Sequence, residues 1–339
     1  MKMGQRVREL IATQGVAWEA VRDQVDTLAG PGPVLAVGSG SSYYLAVVVA
    51  EVAARLGLKV HARVTSDVVL ESDPLLNDVS VVVIVSRSGA TTEAVWAAEE
   101  SRRRGKRVVA VTCNRESPLA RLADARLVSP LGEDGTVVMV RSFTSMLVLM
   151  EQVLAVTAGL PRDPITAMAQ WLPAVGEAAE KVARRLVAGG VRRVYLLGGG
   201  VRYGIALEGA LKVQEMSLGP VAAYAPLEFR HGPSGSVASK DLLVFLGQRQ
   251  SAHHEVRVLR EFAQQDVATL VVAPAGWAPE DVLDRITGKV DLPAEIPDLW
   301  AGPLATVPLQ VLAWHLAVAG GQDPDHPRNL SKVVSLDYR

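Results

Sequence analysis

The sequence predicts an α/β fold of two domains, each with a doubly wound parallel sheet flanked by helices. Short apolar runs alternate with amphipathic stretches along the chain, and strands that alternate with helices pair in parallel. The length of 339 residues favours two domains over one. An apolar run followed by a glycine-rich turn occurs at 34–43 and recurs at 194–203, so we expect an internal duplication.

The elements of the first domain follow from hydrophobic periodicity and from turn and stop signals. A near-continuous valine run at 79–85 is typical of a parallel strand buried on both faces, and Gly57 is a helix stop. The predicted elements are helix 7–28, strand 34–37, a helix ending near 55, strands 58–64 and 79–85, helix 91–104, strand 107–112, helix 117–122, strand 125–127 and helix 143–157.

The second domain restarts the alternation after a segment at 159–164 that contains two prolines. We therefore expect domains at 1–160 and 161–322, followed by a C-terminal tail at 323–339 that closes the site. The predicted elements are helix 165–188, strand 191–197, helix 203–217, strands 221–225 and 242–246, helix 252–264, strand 268–272 and helix 309–319.

Composition excludes several classes of function. The formal net charge is −1, which argues against a nucleic-acid partner. The N-terminus has no signal-peptide pattern, and the apolar stretches are interrupted, so we expect a cytoplasmic chain without membrane spans. The lone Cys113 favours a buried thiol over a nucleophile. The pair His253 and His254 lacks spaced partners, so we expect no metal and no cofactor.

The most specific local signal is the loop at 86–92, Ser-Arg-Ser-Gly-Ala-Thr-Thr, between a buried strand and a helix. Its hydroxyls and the free N–H groups of the helix N-terminus can converge on one anion, and Arg87 can add charge. An ordinary N-cap is the alternative. The corresponding loop of the second half, at 247–250, lacks hydroxyls, which indicates one phosphate per chain. The loop at 38–42 ends the neighbouring strand, so Ser42 should face the same ligand.

Three further segments carry candidate chemistry. Glu208, Lys212 and Glu215 share one helix face by their spacing, although a solvent-exposed salt-bridge stripe has the same pattern. His231 precedes Gly-Pro in a rigid turn and could shuttle protons or be an ordinary loop histidine. The tail at 325–332 contains Lys332, although a solvated terminus is again the alternative.

Together these segments resemble the sugar isomerase (SIS) superfamily with two tandem flavodoxin-like SIS domains. The segments at 207–215, 228–233 and 327–332 are similar to the isomerase half of glucosamine-6-phosphate synthase. The segments at 86–89 and 229–233 also resemble ketose/aldose isomerases and amino-sugar deaminases. The similarity spans about residues 30–335.

The resemblance implies a role for each matching residue. Glu215 would move a proton between C1 and C2 of the sugar, and Glu208 and Lys212 would be the charged neighbours of Glu215. His231 would open the sugar ring. Lys332 would engage the carbonyl end of the open sugar. The residues implied in substrate binding, mainly of the phosphate, are Ser42, Ser86, Arg87, Ser88, Thr91 and Ser331.

The sequence departs from the synthase in ways that leave the sugar open. Arg87 stands where the synthase usually has glutamine, and the stretch at 139–144 differs. We see no glutaminase segment and expect no release of ammonia from glutamine. We therefore expect a phosphosugar isomerase that interconverts a ketohexose 6-phosphate with an aldose or 2-amino aldose 6-phosphate, acting as a homodimer. Amino-sugar-phosphate deamination and phosphosugar sensing without turnover are the alternatives.

Overall fold

The computed structural model describes residues 2–24, 28, 32–70, 74–161, 163–265 and 267–336, the side chains of 163–166 excepted. These residues form two compact units. The N-terminal unit comprises Thr13–Ala169 and Asn329–Arg339, and the C-terminal unit comprises Met1–Ala12 and Gln170–Arg328.

This division departs from the predicted boundaries at both ends of the chain. The opening residues group with the C-terminal unit because Asp323 accepts the N–H of Gly4 and Asp325 accepts the N–H groups of Arg6 and Val7. Residues 323–328 are therefore part of that unit, and only the segment from Asn329 onward belongs to the N-terminal unit. Within the predicted boundary at 159–164, residue 162 lies outside the described residues, as do the last residues of the predicted tail, 337–339.

The N-terminal unit is a five-stranded parallel sheet in the order β2-β1-β3-β4-β5, with helices around it. Strands β1 and β3 are buried along their whole length, as the valine run predicts. The elements are α1 Gln5–Ala20 (which starts in the C-terminal unit), β1 Val34–Gly38, α2 Ser41–Arg55, β2 Val60–Val64, α3 Thr65–Leu70, α4 Leu75–Asp78, β3 Val81–Val85, α5 Thr92–Arg103, β4 Arg107–Thr112, α6 Pro118–Leu122, β5 Ala125–Val128 and α7 Arg141–Thr157.

The C-terminal unit is a second five-stranded parallel sheet, in the order β10-β9-β8-β6-β7. Numbered from its own first strand, this order is the same as in the N-terminal unit, so the predicted duplication is visible in the topology. The elements are α8 Asp163–Ala188 (whose first residues precede the unit), β6 Arg193–Gly198, α9 Val201–Ser217, β7 Val221–Tyr224, β8 Asp241–Leu246, α10 Ala252–Ala263, β9 Ala268–Pro274, α11 Glu280–Leu283, β10 Gly288–Leu292 and α12 Gly302–Ala319.

The predicted fold class is confirmed, and the misjudged elements have local reasons. The sequence analysis missed β10, an edge strand whose Lys289 and Asp291 face solvent and resemble loop residues. It began α12 after Pro308, whereas the helix starts at Gly302 and keeps Pro308 inside. Helix α1 ends at Ala20 instead of near 28, and residues 25–27 of that predicted helix lie outside the described residues.

By length and composition alone, helix α12 is apolar enough to cross a membrane. However, 78% of it is buried inside the structure, which is typical of a core helix. It packs against α9, and Gly209 of α9 allows this because a Cβ there would lie only 2.5 Å from Leu309 Cδ1. This packing buries one face of α9, the helix with the predicted acidic residues.

Candidate active site

The serine-rich loops of the N-terminal unit meet at the carboxyl ends of β1 and β3, where the strand order reverses. Ligands of open parallel sheets bind at such a point. The loops line a depression with a cavity volume of about 20 Å³. Its hydroxyl-bearing residues are Ser39, Ser42, Thr65, Ser86 and Thr91.

These hydroxyls contact one another across the depression. Ser39 Oγ donates to Thr65 Oγ1 at 3.2 Å, and Ser86 Oγ donates to Thr91 Oγ1 at 3.4 Å. Thr91 stands at the N-cap position of α5 but makes no side-chain capping bond, so the N-cap alternative does not describe it. The sequence analysis missed Ser39 and Thr65. Thr65 follows β2, and its position at a strand end beside β1 was the available signal.

Gly89 shapes the loop after β3. Its φ of +60° lies in the left-handed region, and a Cβ at this position would lie 2.1 Å from Ser117 Oγ. Ser117 in turn caps α6 by accepting the N–H of Ala120. The loop therefore closes tightly on α6, which holds its serines at the strand end.

Two predicted phosphate ligands have other partners. Ser88 does not line the depression, and its hydroxyl accepts the N–H of Ala90. Arg87 is buried, and its guanidinium donates to the carbonyls of Thr136, Val137 and Lys332. The charge that the sequence analysis assigned to the phosphate is thus committed to protein acceptors.

Asp134 is a further neighbour of Arg87. It also forms hydrogen bonds with the stretch at 139–144, which differs from that of the synthase. Its Oδ2 lies 3.6 Å from Arg87 Nη1, and its Oδ1 accepts the N–H groups of Arg141 and Ser142 in the first turn of α7. The Ser142 hydroxyl also donates to Asp134. Burial raises the pKa of Asp134, although Ser142 and Arg87 oppose that shift.

The C-terminal segment lies against this same loop. The N–H of Leu336 donates to Thr92 Oγ1 at 3.0 Å, and the Lys332 carbonyl accepts from Arg87. Lys332 Nζ lies 2.8 Å from Glu133 Oε1. Burial alone would raise the pKa of Glu133, but the hydrogen bonds from Lys332 and the Gly135 N–H, together with the charges of Arg87 and Lys332, outweigh it and the pKa is lowered. Ser331 is exposed and donates to the Val333 carbonyl.

The predicted acidic face of α9 is buried in the C-terminal unit. The side chains of Glu208 and Lys212 are fully buried, whereas 18% of the Glu215 side chain is exposed. Lys212 Nζ lies 3.3 Å from Glu208 Oε1 and 2.5 Å from Glu215 Oε2. The alternative of a solvent-exposed salt-bridge stripe is therefore wrong.

Charge balance in this cluster keeps Lys212 protonated. Burial would lower the pKa of Lys212, but the carboxylates of Glu208 and Glu215 outweigh it and raise the pKa. Glu215 is the member of the cluster whose side chain reaches solvent, whereas its Lys212 counterion does not.

His231 lies on a short loop held by an aromatic anchor. Phe229 is buried and its ring centroid lies 5.3–5.7 Å from those of Tyr195, Tyr224 and Phe262. Two residues later, His231 is exposed, and Gly232 follows with a φ of +124°. The anchor fixes the loop while leaving the imidazole accessible from outside the chain.

The remaining nucleophile and metal candidates do not form sites. Cys113 is buried, and burial raises its pKa well above the ordinary value, which disfavours the thiolate. His253 and His254 stack edge to face at 5.2 Å. Within the described residues, no group of three or more His, Cys, Asp or Glu side chains could hold a metal ion.

Comparison with known proteins identifies the family. The SIS domain model matches residues 28–156 and 190–318, and the chain belongs to the SIS domain family, as its resemblance predicted. The isomerizing glutamine–fructose-6-phosphate aminotransferase of Aeropyrum pernix is 31% identical over 327 residues, which cover 91% of this chain and 52% of that protein. The chain thus spans about half the length of the curated relatives it matches.

Two solved structures of similar fold carry the names of enzymes that act on phosphosugars. Glucosamine-6-phosphate deaminase from Thermotoga maritima is 27% identical, with a TM-score of 0.85 over 98% of this chain and 100% of that one. Tagatose-6-phosphate ketose/aldose isomerase from Escherichia coli is 22% identical, with a TM-score of 0.77 over 96% and 97% of the two chains, which shows a shared fold.

Proposed function

We propose that the protein is a phosphosugar isomerase that interconverts a ketohexose 6-phosphate with an aldose 6-phosphate or, with ammonia consumed and water released, with a 2-amino aldose 6-phosphate. The observation that carries the proposal is the α9 cluster, in which a buried ammonium holds Glu215 beside solvent. A ketose and an aldose interconvert when one proton moves between C1 and C2 and a second moves between the oxygens on those carbons. The transfer between the carbons needs a base, and a carboxylate can accept the proton from one carbon and return it to the other.

Each group then has a part in the proposed reaction. His231 protonates the ring oxygen as the sugar opens, and Glu215 removes the proton from the carbon next to the carbonyl. Lys332 stabilises the negative charge that develops on the carbonyl oxygen. Glu208 and Lys212 are positioning residues, because Lys212 Nζ lies 2.5 Å from Glu215 Oε2 and 3.3 Å from Glu208 Oε1. The phosphate is assigned to the hydroxyls of the N-terminal depression.

The tail contacts support a closing role for the segment that carries Lys332. Arg87 and Thr92, both in the loop at 86–92, hold the backbone of this segment. The pairing of Lys332 with Glu133 gives the ammonium a resting partner that the sugar would replace. A segment held so close to the phosphate loop can exclude water from a bound sugar. We propose that this segment closes over the bound sugar. We also propose that the protein is a cytoplasmic homodimer.

The test is proton exchange in heavy water with a panel of hexose and hexosamine 6-phosphates. An isomerase incorporates deuterium at C1 or C2 of its substrate, and the product sugar appears. A phosphosugar sensor binds without exchange, and absence of exchange with every tested sugar that binds would reject the isomerase proposal.

Amino-sugar-phosphate deamination is the second candidate. The structure that favours it is the 27% identical deaminase, whose TM-score of 0.85 extends over nearly the whole chain. Deamination takes up water and releases ammonia from C2, with the same proton transfer between C1 and C2, and it is the reverse of the amino-sugar branch of the first proposal. Measuring ammonia in the same panel therefore separates plain aldose–ketose isomerisation, which neither consumes nor releases ammonia, from the reactions of the amino sugar.

A further inference from the structure

The loops of the C-terminal unit that correspond to the phosphate depression have the same backbone conformation but different side chains. Gly40 has φ 56° and ψ −128°, and Gly200 has φ 48° and ψ −126°. Both α2 and α9 begin directly after these glycines. Arg202 therefore occupies the position that corresponds to Ser42, two residues after the glycine.

The second loop of the pair is also equivalent. Strands β3 and β8 end at Val85 and Leu246, so Ser86 corresponds to Gly247. A Cβ at Gly247 would lie 2.3 Å from Trp277 Cε2, which leaves no room for a serine there. At the start of the following helix, Ser251 stands at the N-cap position, as Thr91 does in the N-terminal unit.

A protein carboxylate fills this second set of loops. Glu255 is only 3% exposed, and its Oε1 accepts from Ser251 Oγ at 2.7 Å while Oε2 accepts the N–H of Gln248 at 3.2 Å. Its Oε1 would lie 3.7 Å from a Cβ placed on Gly199. The carboxylate thus contacts both loops at the point where the N-terminal unit has open space.

The charge at this point is also suited to an anion. Arg202 is fully buried, and its positive charge acts on Glu255. Burial raises the pKa of Glu255, while the bonds from Ser251 and Gln248 and the charge of Arg202 oppose that shift. A hydroxyl, a backbone N–H and a guanidinium charge around one oxyanion are the groups that proteins use for phosphate.

We propose that the C-terminal unit contains a latent oxyanion site that is occupied by the Glu255 carboxylate in place of a phosphate. The side chain blocks a second phosphosugar from binding to the chain. The ligand class of the emptied site is a tetrahedral oxyanion, such as inorganic phosphate or a phosphomonoester. The inference stands on the C-terminal unit alone and does not require the proposed reaction.

The test removes the carboxylate and supplies phosphate. Thermal melts of Glu255→Ala are recorded in sodium phosphate and in sodium chloride of equal ionic strength. The experiment is made in a Ser86→Ala and Thr91→Ala background, which removes the hydroxyls of the N-terminal depression. We expect Glu255→Ala to melt at least about 4 °C higher in phosphate than in chloride, with saturation in the millimolar range.

Two matched variants make the outcome specific. Glu255→Gln keeps the volume of the side chain and should show no phosphate response. Glu295→Ala removes an exposed negative charge from the same unit and should behave like its parent. If Glu255→Ala does not fold in chloride, refolding is compared in phosphate. Recovery only in phosphate supports the inference. Equal melting in both salts, or failure to refold in both, overturns it.

Discussion

Glu215 differs from the other acidic residue of the α9 cluster in its access to solvent. With Glu208 fully buried and Glu215 18% exposed, only the second can meet a substrate carbon. Glu215→Gln keeps the shape and removes the base, so turnover should fall about a hundredfold or more while phosphosugar binding persists. Steady-state kinetics and a binding titration measure the two effects. The exposed Glu280 of the same unit provides the control variant Glu280→Gln, and normal turnover by Glu215→Gln would reject the assignment.

Replacement of Lys212 should destabilise the C-terminal unit as a whole. Its ammonium is the counterion of two carboxylates and is fully buried. Lys212→Met keeps most of the volume but leaves those charges uncompensated, so the free energy of unfolding should drop by about 3–5 kcal/mol. Urea denaturation measures this change. A loss below about 1 kcal/mol would mean that the cluster is hydrated.

The hydroxyls of the N-terminal depression allow a sharper phosphate test than the loop sequence does. Ser86→Ala with Thr91→Ala should weaken phosphosugar binding by about 1–3 kcal/mol, the range of hydrogen bonds to a charged group. Ser88→Ala is the comparison, because its hydroxyl lies outside the depression and should matter less. Calorimetric titration with the phosphorylated and the free sugar measures both. An unchanged affinity in the double variant would place the phosphate elsewhere.

At the scale of elements, the C-terminal segment divides into two parts with different duties. Asp323 and Asp325 hold the N-terminal turn of α1, so a cut after Gly321 should destabilise the C-terminal unit by about 1 kcal/mol or more per lost cap. A cut after Arg328 spares both caps and removes Lys332.

We therefore expect the cut after Arg328 to leave the melting temperature nearly unchanged and to abolish turnover. Thermal melts and a turnover assay on both truncated chains measure this. Lys332→Met provides the single-residue version and should share the loss of turnover. Full activity in either would exclude Lys332 from the chemistry, and a large drop in melting temperature after the second cut would show that the segment is structural.

At the scale of the whole molecule, His231 raises the question of assembly. Its imidazole is exposed in the single chain, on a loop anchored by Phe229, so it is available to a neighbouring copy. In a homodimer with shared residues, mixing inactive Glu215→Gln with inactive His231→Ala should restore part of the activity, because a heterodimer regains one complete set. Activity after subunit exchange, verified by differently tagged chains, is the measurement. Persistent inactivity would mean that each chain uses its own histidine.

Local sequence was sufficient for the fold class and for the candidate residues. Strands buried on both faces need continuous apolar runs, and such runs are visible without tertiary information, as at Val81–Val85. Helical spacing likewise places Glu208, Lys212 and Glu215 on one face wherever the helix lies. The turn glycines of the duplicated units are also recognisable in the sequence, because a positive φ favours glycine.

Which of these side chains are buried, and where they point, was decided by the tertiary structure alone. How much of α9 is buried depends in part on α12, which lies about a hundred residues further along the chain and packs on it. The Arg87 side chain is oriented by acceptors from residues 134–137 and 332, and no spacing pattern in the sequence predicts these contacts. Thr65 and Glu255 have ordinary local surroundings in the sequence. They acquire their roles because parallel strands bring distant loops to one edge of a sheet.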